Sequence, residues 1–139
     1  MNRTLNPYAP ETLNGVSPGS PAGCLDAYHE YVFDVVLVAS QVLDGQMRSI
    51  DTDSDFLLRA LTFASTGNFS VRFADASGHY LSDRKILNAC LSPDGGRPYV
   101  FMPEVVFPAG SAIGIDLSEL SVAGNTVQLV FRGAKRYRQ

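Results

Sequence analysis

At 139 residues the chain has the length of one domain and enough material to bury a core of its own. Hydrophobic content of 45% excludes global disorder, and charged content of 18% falls below the usual level, as expected where a partner covers part of the surface. A net charge of −3 argues against nucleic acid as the main partner, and no run approaches the ~18 apolar residues of a membrane span.

Residues 1–23 form a separate compositional unit. Pro7, Pro10, Pro18 and Pro21 share it with Gly15, Gly19 and Gly23. Proline fixes φ and removes donors, so the stretch reads as an extended arm rather than a helix or central strand. Leu5, Tyr8, Leu13 and Val16 are spaced along it as apolar anchors for another surface. These opening residues contain no apolar h-region, so a cleaved export signal is not expected. Cys24 and Cys90 lie far apart and form neither a CxxC pair nor a zinc pattern. Pairing them needs an oxidising compartment.

Strand grammar fills residues 24–139. Residues 31–43 make a long Val-rich run. Asp44–Gly45 follows, a dipeptide that favours a type I′ hairpin turn, with 46–50 as the returning strand. Residues 51–54 are a polar connection. The 56–64 run is apolar on both faces, with Phe56, Leu58 and Ala60 on one and Leu57, Leu61 and Phe63 on the other. Phe69, Val71 and Phe73 alternate with Ser70, Arg72 and Ala74, the cleanest half-buried strand in the chain. A short strand is predicted at 79–81. The 84–91 stretch fits a helical turn or a strand, and 99–102 and 105–107 read as two further short strands.

The last third repeats the pattern twice. Ile113, Ile115 and Leu117 alternate with small or polar residues, as do Val127, Leu129 and Phe131. Two such runs side by side predict an antiparallel pair. Arg132, Lys135, Arg136 and Arg138 then form a basic tail suited to an acidic protein surface. About eight short strands without helical periodicity predict an all-β, jelly-roll-like antiparallel sandwich. Phe69, Val71, Phe73, Ile113, Ile115, Val127, Leu129 and Phe131 are the predicted core. Leu57, Leu61 and Phe63 are left needing a cover, which a second copy in a C2 pair supplies.

No stretch carries enzyme chemistry. HExxH, GxSxG, P-loop and GxGxxG patterns are all missing, and His29 and His79 are lone histidines. Asp51, Asp53 and Asp55 alternate like cation ligands. However, Phe56 and Thr62 stand where a calcium loop needs glycine and glutamate, so a solvated turn is the better reading. No catalytic residue, cofactor or obligatory metal is expected.

The stretches "PEVVFPAGSAIGIDLSEL" and "NTVQLVFRGAKRYR" carry a family likeness. Their "P…F…GS.I.IDL" and "V.L.F.G.KRY" patterns resemble the closing strands of jelly-roll capsid cement (decoration) proteins of tailed phages, short-tailed ones included. The likeness covers about 35 residues; elsewhere it rests on strand count. It implies a structural virion protein, made in the bacterial cytoplasm, that binds the outer capsid surface and clamps major capsid protein subunits. Leu5, Tyr8, Leu13, the β face of Leu57, Leu61 and Phe63, and the basic tail are then the contacts, with a homodimer as the assembling unit. A phage neck or tail-fibre adaptor is the alternative, followed by a small carbohydrate-binding sandwich. The lack of tryptophan weighs against the last.

Overall fold

The computed structural model describes residues 24–138, with side chains for 25–137. The predicted arm, with Leu5, Tyr8 and Leu13, lies outside the described residues. Eight strands follow in order: β1 (Cys24–Leu37), β2 (Val42–Ser49), β3 (Asp55–Ser65), β4 (Phe69–Ala74), β5 (Ile86–Leu87), β6 (Tyr99–Phe107), β7 (Ala112–Glu119) and β8 (Asn125–Arg138). A four-residue turn of helix, α1 (Asn88–Leu91), is the only helix among the described residues.

The strand pairing is that of one long hairpin rolled up. β1 pairs with β8, β2 with β7, β3 with β6, and β4 with β5, all antiparallel. Rolling sets β8 against β3 and β7 against β4, also antiparallel. Two four-stranded sheets result, ordered β1-β8-β3-β6 and β2-β7-β4-β5. This is a jelly-roll sandwich, the predicted fold class. Consecutive strands therefore face each other across the core, and β4–β5 is the only consecutive pair within one sheet.

That topology corrects two local expectations. β7 and β8 do not pair with each other; they stack in opposite sheets. Both have one apolar face, and stacking face to face buries both faces at once, which lateral pairing cannot do. Asp44–Gly45 is not a hairpin turn either. It sits inside β2, at the register shift between Leu43 and Gln46 against β7. Gly45 has φ +75°, and its N–H donates to Asp116 Oδ1 at 2.8 Å. The dipeptide's tolerance of positive φ serves a bulge here because the Asp116 carboxylate on β7 receives the freed donor. The chain instead leaves the first sheet through Ser40, which has φ +60°.

Smaller corrections concern the middle of the chain. The predicted strand at 79–81 reduces to an isolated bridge from Tyr80 to Ala74. The ambiguous 84–91 stretch is both things in turn, β5 then α1. The two short strands near Pro103 merge into β6, an edge strand that tolerates a proline.

The core lies between the sheets. All eight residues predicted for it are buried there: Phe69, Val71 and Phe73 on β4, Ile113 and Ile115 on β7, Val127, Leu129 and Phe131 on β8. Phe73 meets Phe131 edge-on at 5.4 Å, and Tyr31 meets Phe56 edge-on at 4.8 Å. Leu61 and Phe63 belong to this core as well. The expectation that they form a second face of β3 awaiting a partner is corrected. The ladders shift register between Leu58 and Ala60, so Arg59 is an extra residue. The bulge exchanges the faces and turns Leu61 and Phe63 inward after Phe56 and Leu58. Gly133 on β8 makes room for it, since a Cβ there would lie 1.8 Å from the Leu57 carbonyl oxygen.

Candidate partner-binding surface

The basic residues predicted as a tail are the last strand itself. Arg132, Lys135, Arg136 and Arg138 all lie on β8. The side chain of Arg138 is outside the described ones. The other three meet acids of their own chain. Arg132 Nε lies 3.3 Å from Glu30 Oε2 and donates to Thr62 Oγ1 at 3.1 Å. Arg136 grips Asp26 with two donors, at 2.8 and 2.9 Å. Lys135 points inward at the end of the sandwich, where its Nζ lies 2.8 Å from Asp51 Oδ2 and 3.4 Å from Asp53 Oδ1. Its hydrogen bond to Asp51 raises the Lys135 pKa, and the same bond lowers that of Asp51. β8 runs beside β1 from end to end, so Arg132 falls opposite Glu30 and Arg136 opposite Asp26.

The aspartate triplet follows the same logic. Asp51 and Asp53 hold the Lys135 ammonium, and Asp55 Oδ1 accepts the Ala109 N–H at 3.0 Å. Among the described residues no group of three His, Cys, Asp or Glu is arranged to hold a metal ion. His29 sits over this end, edge-on to Tyr31 at 4.5 Å. Burial lowers its pKa, and the nearby Lys135 charge adds to the effect. His79 is 3.9 Å from Asp75 on an exposed turn.

Over β4 and β7 the outer face of the second sheet is covered by its own chain. Asp116 accepts from Gly45, and Arg72 lies 3.5 Å from Asp116 with its guanidinium 3.4 Å from the Tyr80 ring centroid. Lys85 Nζ reaches Asp44 at 2.8 Å and Ser118 Oγ at 2.6 Å. The 75–85 connection is thereby pinned over β4 and β7.

Apolar side chains stay open at the β6 edge, with Val100, Met102 and Val106, and are gathered beside a groove at the β1–β2 end of the sandwich. Val36, Val38 and Val122 are 73%, 67% and 95% exposed. They line an open groove of roughly 540 Å³ together with Thr66, Thr126 and Ala123. Val42 and Met47, on the neighbouring β2, are also exposed. Exposed apolar side chains gathered in one place mark an interaction surface more often than scattered ones do. Sequence reading singled out none of these residues as a contact. The available signal is the unbroken apolar run 35–39 at the end of an edge strand, where alternate side chains have no core to enter.

No protein-family model matches the chain, and no curated protein matches it significantly.

Proposed function

We propose that this protein is a structural binding protein of a phage particle, a cement protein that docks on the outer surface of the capsid and ties major capsid protein subunits together. The observation that carries the binding role is a jelly roll whose β8 cations Arg132, Lys135 and Arg136 are met by acids of its own chain, joined to an exposed apolar end, Val36, Val38 and Val122. The likeness of residues 103–138 to the closing strands of phage decoration proteins supports the capsid as the partner. Binding only the assembled lattice stabilises it by mass action, and repetition over the lattice multiplies weak contacts.

In this reading the apolar end and the 1–23 segment with Leu5 and Tyr8 make the capsid contacts, while the β8 cations hold the fold. A homodimer remains part of the proposal. Its seat moves from Leu57, Leu61 and Phe63 to the exposed edges β1 and β2, where Val32, Val42 and Met47 are available.

The test is the copy number of the chain in purified particles of the phage that encodes it, by quantitative mass spectrometry. A cement protein is present in proportion to the capsid lattice. A count of a dozen or fewer per particle, on the order expected of a symmetric neck ring, favours the adaptor reading, and absence from particles refutes both.

A further inference from the structure

We propose that Glu119 is the positioning residue of the docking end: its buried carboxylate ties the β1–β2 turn to the β7–β8 turn, so that Val38 and Val122 meet a partner in one fixed arrangement. The inference deepens the docking reading above and rests on it.

Glu119 closes β7 and is only 3% exposed. Its Oε2 accepts the Ser40 N–H at 2.9 Å, from the β1–β2 turn. Its Oε1 accepts the Ser121 N–H at 2.6 Å, from the β7–β8 turn. Both donors are neutral, and among the described residues no cation pairs with this acid. Burial raises its pKa, but donors from Ser121, Ser40 and Asn125 outweigh burial and leave it lowered, so the group is charged at neutral pH. A buried carboxylate without a cation is costly unless fixed donors replace its water, and hydrogen bonds to a charged acceptor are stronger than neutral ones.

The turns that it joins are held against local preference. Ser40 has φ +60°, a left-handed conformation that glycine adopts readily and serine does not. The Gln41 N–H donates to the Val38 carbonyl at 3.1 Å, and Gln41 Oε1 accepts the Val38 N–H at 3.0 Å, so Val38 and Ser40 belong to one closed turn. On the other side Ser121 Oγ donates to the Gly124 carbonyl at 3.1 Å and brackets Val122. A second buried side chain draws in the β3–β4 turn. Asn125, also 3% exposed, accepts the Thr66 and Gly67 N–H groups at 3.1 and 3.0 Å. Thr66, Val38 and Val122 line the same groove.

Buried polar groups thus fix a frame whose apolar side chains stand in water. Val38 and Val122 bury too little to hold these turns themselves. Ordering a surface before it binds removes a cost otherwise met on association. Backbone strain held in place by its surroundings is concentrated at functional sites.

The experiment uses the full chain with Glu119→Gln, which keeps the shape and replaces one acceptor with a donor, and with Glu119→Asp, which keeps the charge and shortens the reach. Amide hydrogen exchange is followed by NMR, and occupancy on purified particles by quantitative mass spectrometry, with Val122→Asp beside them. In each variant the Ser40 and Ser121 amides are expected to exchange at least about tenfold faster, while amides of β4 and β8 keep their rates. Occupancy is expected to fall several-fold, as for Val122→Asp. Unchanged exchange at Ser40 and Ser121 overturns the proposal, and so does exchange that rises equally throughout the sandwich, because Glu119 then only stabilises the fold. Loss of the fold in both variants has the same meaning. Local opening with full occupancy, where Val122→Asp still lowers it, overturns the positioning role and leaves the docking reading standing. Absence of the unaltered chain from particles overturns both.

Discussion

Lys135 reaches across 84 positions to place its ammonium 2.8 Å from the Asp51 carboxylate. The pair joins the end of β8 to the β2–β3 connection. Lys135 Nζ also reaches Asp53 at 3.4 Å, and Tyr31 Oη accepts the Asp51 N–H at 3.1 Å. Because the lysine pKa is raised, its contribution is complete below the ordinary lysine value of ~10.4 and fades only as pH climbs through the higher folded value. Because the Asp51 pKa is lowered, its contribution is complete above the ordinary carboxylate value of ~3.9 and fades as pH drops through the lower folded value. The pair holds throughout the range between. Asp51→Asn is expected to lower the melting temperature at pH 7 and to flatten its fall below pH ~4. Melting curves of both proteins from neutral to acid pH measure this, and parallel acid limbs would show that the pair does not couple to folding.

Phe131 is fully buried and meets Phe73 edge-on. Phe131→Ala is expected to cost about 3–5 kcal/mol, as for other buried aromatics truncated to alanine. Urea unfolding at constant slope reads the loss directly. A cost below ~1 kcal/mol contradicts the placement of this ring at the sheet–sheet contact.

Gly133 is required by close approach rather than by its own backbone angles. A methyl group at this site meets the Leu57 carbonyl at 1.8 Å, a backbone atom that moves only if the bulge around Arg59 is lost. Gly133→Ala is expected to destabilise by roughly 2 kcal/mol or more, beyond the ordinary cost of overpacking a flexible site. Chemical denaturation of the variant beside Gly78→Ala tests the distinction. Gly78 has open space around it but φ +85°, so it carries backbone strain alone.

Asp116 is the anchor under the 75–85 connection, through Gly45, Arg72 and the Tyr80 side chain. Burial raises its pKa, but the donors from Gly45, Tyr80 and Arg72 outweigh burial and leave it lowered. Asp116→Ala leaves the Arg72 guanidinium without this acid and frees the connection. Limited proteolysis is expected to cut within 75–85 several-fold faster in the variant, with the rest of the sandwich still protected. Cleavage at the wild-type rate means Tyr80 and Lys85 hold the segment unaided.

Val122 tests the binding surface apart from stability. At 95% exposure it contributes little to the fold, so Val122→Asp is expected to change stability by less than about 0.5 kcal/mol. Its occupancy on purified particles should fall at least several-fold, because a charge in an apolar contact is buried without a partner. Full occupancy with the aspartate in place moves the contact elsewhere.

Period-two alternation was enough to determine which side chains of β4, β7 and β8 enter the core, because a strand with one apolar face has only one way to bury it. The same reasoning gave the fold class, while the 79–81 run reduced to a bridge and two short runs merged into β6. It did not give the partners of those strands. β7 and β8 are separated by a few residues and still lie in opposite sheets, since pairing in a rolled hairpin joins strands from the two ends of the chain. Nor did it give the faces of β3, where a single extra residue, Arg59, inverts the alternation and sends Leu61 and Phe63 inside. The β8 cations show the limit most directly. Their sequence reads as a free basic tail, and only the ladder to β1 and the packing of the 51–53 turn reveal that Glu30, Asp51, Asp53 and Asp26 already face them. Local pattern determines which face of a strand is apolar; long-range pairing decides which charges meet and which valines are left in water.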